Sequence, residues 1–446
     1  MDTLFSHISV ITMDERMSVL TDAFVGVTDG KITWLSKKEP EEKPKRRIEG
    51  AGMVLIPGLI NCHTNLEQTI FRCCGDDRTP EEYWQDRIYP PLERLDESGA
   101  RASALLGIAE CLRFGVTSVS DLGSHAAAVA EAAAVSGIKA NVAPDLTTLM
   151  GEEFDFESDP QCRDFVQAVE KWHNHDEGRI LMEAGLHGEA TSSHELWQPL
   201  AEFAINSGLG LHLNLSQTGQ EQEDCLDQSG LTQAQLLDCY HLFSARTQAA
   251  HCSHLEQEDL SLLGRRNVSA VHCPVSGQKM ATGQADVLAM VKAGMNVALG
   301  TDSAAAVGSL DLLRQVRATA LAAKAQTGDP TTLNAAAALL MATGCGARAQ
   351  GRGKECGMIK LGMDADLVML DFNQLHLIPC HDLTASVVYA ASGGDVCLTM
   401  VRGKVLYAAG KYFTVKLPDV MAELTQRVIP QVFAPEREET EGGMPQ

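Results

Sequence analysis

The sequence is short of basic side chains. Lysine and arginine number 36, against 59 aspartate and glutamate residues, which gives a formal net charge of −23. A field of that sign repels phosphate backbones and anionic lipid headgroups. We therefore expect neither nucleic acid nor a membrane among the partners, and a small-molecule ligand instead.

The chain also lacks several motifs that would place it in other classes of protein. None of its 13 cysteines forms a C-x-x-C pair, which argues against zinc ribbons and thioredoxin-like redox sites. No apolar run reaches the roughly 18 residues that a membrane helix needs. The N-terminus has no basic stretch followed by a long apolar one, so it does not resemble a secretory signal. These absences predict a cytoplasmic protein with reduced cysteines.

The two ends of the sequence have similar patterns of apolar residues and glycines. Residues 1–56 contain short alternating apolar stretches and an Asp29-Gly30 turn, and residues 355–415 are again β-rich and punctuated by glycine. We predict that both ends build one composite β-sandwich domain. Residues 416–446 are predicted to form a C-terminal helix followed by an acidic, disordered tail.

Between these ends, residues 57–354 alternate short apolar strands with helical stretches rich in alanine, leucine and glutamate. Eight strands can be placed, ending near His63, Asp121, Asp145, His187, Asn214, His251, His272 and Asp302. Eight such units in succession predict an α/β fold, a (β/α)8 TIM barrel.

Polar and ionisable residues occupy almost every predicted strand end. Active sites of these barrels lie at the C-terminal ends of the strands. A single histidine in such a place is usually structural. Four histidines and two aspartates at successive strand ends, namely His63, His187, His251, His272, Asp121 and Asp302, instead predict a functional site.

The first and fifth strands add amides to this group. His63 and Asn65 are two residues apart and share one face of a strand, where an H-x-H pair would chelate a metal. Asn214 ends the fifth strand, and Gln217 follows three residues later. His212 shares the face of Asn214, and either a structural or a site role remains open for it.

Several segments resemble the amidohydrolase superfamily, and within it the branch that contains 5-methylthioadenosine/S-adenosylhomocysteine deaminase and, as a cousin, atrazine chlorohydrolase. The resemblance covers roughly residues 3–410 and rests on PGLINCHTN, DDRTPEEYW, GVTSVSDLG, AAHCSHL, HCPVSGQKM, VALGTDS, TGDP and LGMDADLVMLDF. It implies the same barrel and composite β-sandwich, and a dimer or tetramer by analogy.

The resemblance assigns roles residue by residue. His63 and Asp302 match metal ligands, and His187, His251 and His272 match other active-site positions. The family pattern departs at three places, because Asn65 and Asn214 stand where histidine ligands would be. Gln217 stands where the family keeps a glutamate that transfers a proton to the substrate ring.

These departures change the expected chemistry. An amide oxygen is a weak ligand for Zn²⁺ or Fe²⁺, and catalytic zinc normally has three strong protein ligands plus water. We therefore expect either one divalent metal at low affinity, held by His63 and Asp302, or none. Glu67 could supply a compensating carboxylate, although an acid in a loop is usually solvated.

The sequence predicts a hydrolase acting on a carbon–nitrogen bond of a small nitrogen heterocycle or cyclic amide. His251 and Asp302 would be catalytic, and the substrate would contact His187, Asn65, Asn214, Gln217 and His272. Two alternatives stay open. One is a silent relative that binds a metabolite, and the other is a metal-dependent aminopurine deaminase, if the metal is retained.

Overall fold

A computed structural model describes residues 1–148 and 154–434. The chain forms a (β/α)8 barrel joined to a β-rich sheet, as the sequence predicts. The strands are β1 (Thr3–Ile11), β2 (Val19–Thr28), β3 (Lys31–Ser36), β4 (Arg46–Glu49), β5 (Met53–Pro57), β6 (Leu59–Thr64), β7 (Val116–Gly123), β8 (Lys139–Pro144), β9 (Ile180–Met182), β10 (Ala184–Leu186), β11 (Leu211–Leu215), β12 (Thr247–His251), β13 (Ser269–His272), β14 (Asn296–Leu299), β15 (Leu367–Asp371), β16 (Val396–Val401), β17 (Lys404–Ala408) and β18 (Lys411–Tyr412).

Helices follow the barrel strands, and their starts agree with the capping residues in the sequence. Asp96, for example, accepts a hydrogen bond from the backbone N–H of Gly99 and begins a helix over Glu97–Arg113. The helices include Pro80–Glu82, Tyr83–Ile88, Tyr89–Glu93, Glu97–Arg113, Ala126–Ser136, Pro160–Trp172, His194–Ser207, Gly219–Ser229, Gln233–Cys239, Gln257–Arg265, Pro274–Lys279, Val287–Lys292, Ala304–Val307, Leu312–Thr327, Ala335–Met341, Gly344–Ala349, Leu383–Tyr389, Leu417–Glu423, Leu424–Val428 and Ile429–Val432.

The barrel wall consists of parallel strands in chain order, β6 to β9 in one ladder and β10 to β14 in the other. Its last strand returns to its first, where the backbone N–H of Asp302 donates to the carbonyl of His63 at 3.0 Å. All eight predicted strands are present. The fourth is divided into β9 and β10 at Glu183, whose buried carboxylate binds the side chains of Asn141, Arg246 and Gln248 inside the barrel.

Both ends of the chain enter a single nine-stranded sheet, in the order β18-β17-β16-β15-β5-β1-β2-β3, with β4 paired to β1. The ends meet where β15 runs antiparallel to β5, in a register from Leu367 opposite Pro57 to Asp371 opposite Met53. This pairing explains why both termini are rich in β-branched residues. The predicted boundaries at 56/57 and 354/355 stay predictions.

A buried lysine joins this sheet to the barrel. Lys139, at the start of β8, places its Nζ 2.7 Å from Asp364 and 2.6 Å from Asp366. Burial disfavours the ammonium charge, but the two carboxylates outweigh it and hold the pKa of Lys139 above its usual value. These two buried ion pairs therefore connect the barrel to the β-sheet.

The C-terminal segment is helical from Leu417 to Val432. The predicted disordered tail, residues 435–446, lies outside the described residues. Across residues 1–148 and 154–434, no helix combines the length and apolar character needed to cross a bilayer.

Candidate active site

Three histidines meet at the mouth of the barrel. His63, at the end of β6, lies with its Nδ1 3.0 Å from Nε2 of His212, and its ring meets that of His251 edge-on with centroids 5.3 Å apart. All three rings are buried. Burial lowers the pKa of each, to about 3 for His212. The cluster thus consists of neutral imidazoles at physiological pH, with His212 behind His63.

Asp302 lies beside this cluster. Its backbone N–H donates to His63, as described above. Its carboxyl oxygens accept hydrogen bonds from the hydroxyl of Ser276 and from the backbone N–H of Ser303. The described hydrogen bonds do not include one between Asp302 and His251. Two donors therefore fix the Asp302 carboxyl group independently of the imidazole.

The three amides differ in their surroundings. The side-chain nitrogen of Asn65 donates to the carbonyl of Leu122 at the end of β7. The side-chain oxygen of Asn214 is buried and has no hydrogen-bond partner among the described residues. Gln217 lines a cavity together with Asp302. Gln217 is thus available to a ligand in the cavity, the Asn214 oxygen is unpaired, and the Asn65 nitrogen is already engaged.

These donors do not fit a tight zinc or iron site. Among the described residues, no three histidine, cysteine or acidic side chains are grouped so that they could hold a metal. Of the ligands that the sequence predicts, His63 and Asp302 are strong donors, and Asn214 offers only an amide oxygen. Two strong donors fall short of the three that catalytic zinc normally uses.

His187, just beyond β10, is paired with an aspartate. Its Nδ1 lies 2.9 Å and 3.0 Å from the two carboxyl oxygens of Asp145, which follows β8. The Asp145 carboxylate raises the pKa of His187, and burial only partly opposes it. Asp145 stands at a predicted strand end, but no local pattern in the chain pairs it with His187.

Two further predicted residues have surroundings of their own. His272 lines a separate cavity of about 180 Å³, and burial lowers its pKa to about 4. Glu67 is fully buried rather than solvated, and it binds His125 at 2.7 Å and the backbone N–H groups of Ser124 and His125. Its carboxylate therefore organises the loop after β7.

A cavity of about 210 Å³ opens beside Asp302 and Gln217. One wall is the helical segment from Pro80 to Glu93, which follows the first barrel strand, and the opposite wall includes Glu221. The segment's aromatic residues line the cavity, and the rings of Trp84 and Tyr89 stack with centroids 5.5 Å apart. Part of this segment belongs to the motif DDRTPEEYW, but nothing in that motif predicts a place at the site.

Comparison with known proteins agrees with this geometry. Residues 54–406 match the model of the amidohydrolase family. A 5-methylthioadenosine/S-adenosylhomocysteine deaminase of Moorella thermoacetica is 37% identical over 381 residues, covering 85% of this chain and 88% of the relative. A 5′-deoxyadenosine deaminase of Methanosarcina acetivorans is 35% identical over 405 residues, covering 91% and 92%.

Two solved structures are similar over nearly the whole chain. An adenosine deaminase from Xanthomonas campestris with bound zinc has a TM-score of 0.90 at 28% identity and covers 97% of this chain and 98% of its own. A zinc-containing atrazine chlorohydrolase from Arthrobacter aurescens has a TM-score of 0.85 at 23% identity, with 96% and 100% covered, and this likeness concerns the fold.

Proposed function

The chain belongs to the amidohydrolase family, and from this premise we propose that it hydrolyses a carbon–nitrogen bond of a small nitrogen heterocycle or cyclic amide. The metal site of this enzyme is weakened or absent. One observation carries the proposal. Neutral His251 and the carboxyl group of Asp302 both lie at the mouth of the barrel, beside a cavity that Asp302 lines.

The reaction uses water. Water adds to the ring carbon that bears the amino group, and His251, whose pKa burial lowers, accepts the water's proton. Asp302 holds the attacking water through its carboxyl group. His251 passes this proton to the departing nitrogen and ammonia leaves. The added hydroxyl becomes a carbonyl as its proton moves to the neighbouring ring nitrogen. Atoms balance as heterocyclic amine plus water giving carbonyl compound plus ammonia.

The amides serve recognition. Gln217 carries no titratable proton and cannot act as a general acid, but it can donate and accept hydrogen bonds at a ring edge. The unpaired oxygen of Asn214 accepts from a ring or exocyclic N–H. We propose His187 as a further contact on the substrate, with its orientation fixed by Asp145.

A metal-dependent aminopurine deaminase is the second candidate. The bound zinc of the Xanthomonas campestris adenosine deaminase, at 28% identity, favours it. The two candidates differ in what the purified protein holds. We expect well under one equivalent of metal per chain after growth with excess Zn²⁺, Mn²⁺ or Fe²⁺, because two strong donors bind weakly. About one tightly held equivalent would contradict the weakened site.

The test of the reaction is a screen of aminopurine nucleosides, aminotriazines and cyclic amides in water labelled with ¹⁸O. We expect ammonia or ring opening with one labelled oxygen in the product. Turnover without labelled oxygen would indicate a lyase or isomerase instead. Binding without any turnover would support the catalytically silent relative.

A further inference from the structure

The charged residues that line the cavity beside Asp302 are all acidic. Three acidic residues line it, Glu81, Glu221 and Asp302, and no lysine, arginine or histidine is among the described residues that do so. Lys279 ends the helix Pro274–Lys279, whose Ser276 lines the cavity. Its ammonium is already paired, because it contacts the carboxylate of Asp76 and the carbonyl of Ala306. The charged residues that line the cavity therefore all carry negative charge.

Glu221 is held at the cavity by the start of its helix. Its Oε2 accepts hydrogen bonds from the backbone N–H groups of Gln217 at 3.1 Å and Thr218 at 3.3 Å. These bonds place the carboxylate next to position 217. In the described part of the chain, the other oxygen, Oε1, takes part in no hydrogen bond, so this face of the carboxylate is free to bind a ligand.

The facing wall is aromatic. Tyr83, Trp84 and Tyr89 line the cavity, with Tyr83 and Trp84 edge-on at 5.1 Å. Tyr83 is only 1% exposed, and its hydroxyl has no hydrogen-bond partner among the described residues. A buried phenol without a partner costs free energy unless a ligand engages it. Aromatic faces also attract cations and stack on planar rings.

We infer that this cavity selects a planar nitrogen heterocycle that carries a positively charged substituent, and that it discriminates against substrates bearing phosphate or carboxylate. The inference rests on the proposed function, because it names the substrate class of the same site. Like charges facing a ligand act as a barrier to the wrong substrate. Aromatic rings and carboxylates together provide the favourable contacts for the right one.

The test is a series of three adenine compounds that share the ribose ring and carry an ammonium, a hydrogen or a phosphate at the 5′ position. 5′-Amino-5′-deoxyadenosine is cationic, 5′-deoxyadenosine is neutral and adenosine 5′-monophosphate is anionic. Dissociation constants are measured by calorimetry at low salt, where screening is weak. We expect the cation to bind about tenfold more tightly than the neutral nucleoside, and the anion to bind the most weakly.

Substitutions assign the preference to the cavity. Glu221→Gln keeps an oxygen that can accept the same backbone hydrogen bonds but removes the charge, so the preference for the cation should fall several-fold. Glu81→Gln, at an exposed position on the rim, gives a second variant should the first fail to fold. Glu170→Gln, in a separate cavity, should leave the preference unchanged.

Equal binding of all three nucleosides, tighter binding of the phosphate, or no measurable binding of the cation would overturn the inference. So would a cation preference that both cavity variants retain. Turnover is scored separately. The expected order of binding without release of ammonia would support the selectivity of the cavity and count against the proposed reaction, so the two failures are distinguishable.

Discussion

His251 and Asp302 both carry backbone strain. Their φ angles are +68° and +71°, in the left-handed region that residues other than glycine rarely adopt. Such conformations cost of the order of 1–3 kcal/mol each and persist where the surrounding structure enforces them, often at functional sites. Both residues end barrel strands, and Asp302 is held by its backbone bond to His63. The strain supports a functional role for this pair of positions.

Asp302→Asn should abolish activity while the protein remains folded. The variant keeps an oxygen that can accept from Ser276 but loses the charge that the proposed reaction uses. We expect the rate of ammonia release to fall by about 10²–10⁴-fold, because the water is no longer held by a charged carboxylate where His251 can take its proton. Steady-state assays on wild type and variant measure this fall.

Asp227→Asn, at an exposed position of the helix Gly219–Ser229, is the matched control and should retain full activity. A comparable rate in Asp302→Asn would remove Asp302 from the mechanism.

The pair of His187 and Asp145 predicts a pH dependence of stability. Asp145 raises the pKa of His187 in the folded state, and Glu221 adds to that effect. A raised pKa contributes stability that is fully present below the unfolded value of about 6.5 and is lost as the pH rises through the folded value. Asp145→Asn should therefore lower the free energy of unfolding more at about pH 5.5 than at about pH 9. Urea denaturation at both pH values measures the difference, and an equal loss at both would refute the linkage.

At the scale of elements, the strand ends could be predicted but the cavity wall could not. Each barrel strand is a short apolar run that stops at a polar residue, and this local pattern places His63, His251 and Asp302 at one end of the barrel. The segment Pro80–Glu93 has no comparable pattern, because its position depends on packing over the mouth. The motif Thr218-x-x-Glu221 indicates a helix start, but nothing in it reveals that the capping carboxylate faces a cavity.

Restoring the three departures should create a metal site. The triple variant Asn65→His, Asn214→His and Gln217→Glu adds two imidazoles to the strong donors at the barrel mouth. We expect close to one equivalent of zinc per chain, measured by elemental analysis after dialysis against buffer.

The single variant Gln217→Glu is the control, because it adds no imidazole and should gain far less metal. A triple variant that folds yet holds no more metal than wild type would show that the amides are not what weakens the site.

At the scale of the whole molecule, the buried ion pairs of Lys139 link the barrel to the sheet. Removing one partner of a buried pair leaves the others uncompensated, at a cost of about 3–5 kcal/mol. Lys139→Met should lower the free energy of unfolding by about that amount, because Asp366 loses its buried cation, whereas Asp364 keeps Lys31 and Arg402. Lys360→Met, which breaks an exposed pair with Glu15, should lower the free energy of unfolding far less. Equal losses in urea denaturation would contradict the role of Lys139.

The overall architecture can be predicted in outline from the sequence. Matching β-rich texture at both ends predicts that they share a domain, and β5 does pair with β15. Their register and the contacts of Lys139 depend on residues far apart in the chain, which no local pattern encodes. The predicted self-association and cytoplasmic location stay predictions.

The most direct test of the central claim is ammonia release by the protein after exhaustive treatment with a chelator, using the best substrate of the screen. If neutral His251 and Asp302 drive hydrolysis with little or no metal, the chelated enzyme keeps most of its rate and added Zn²⁺ changes it little. Activity that disappears on chelation and returns with one equivalent of Zn²⁺ would contradict this account.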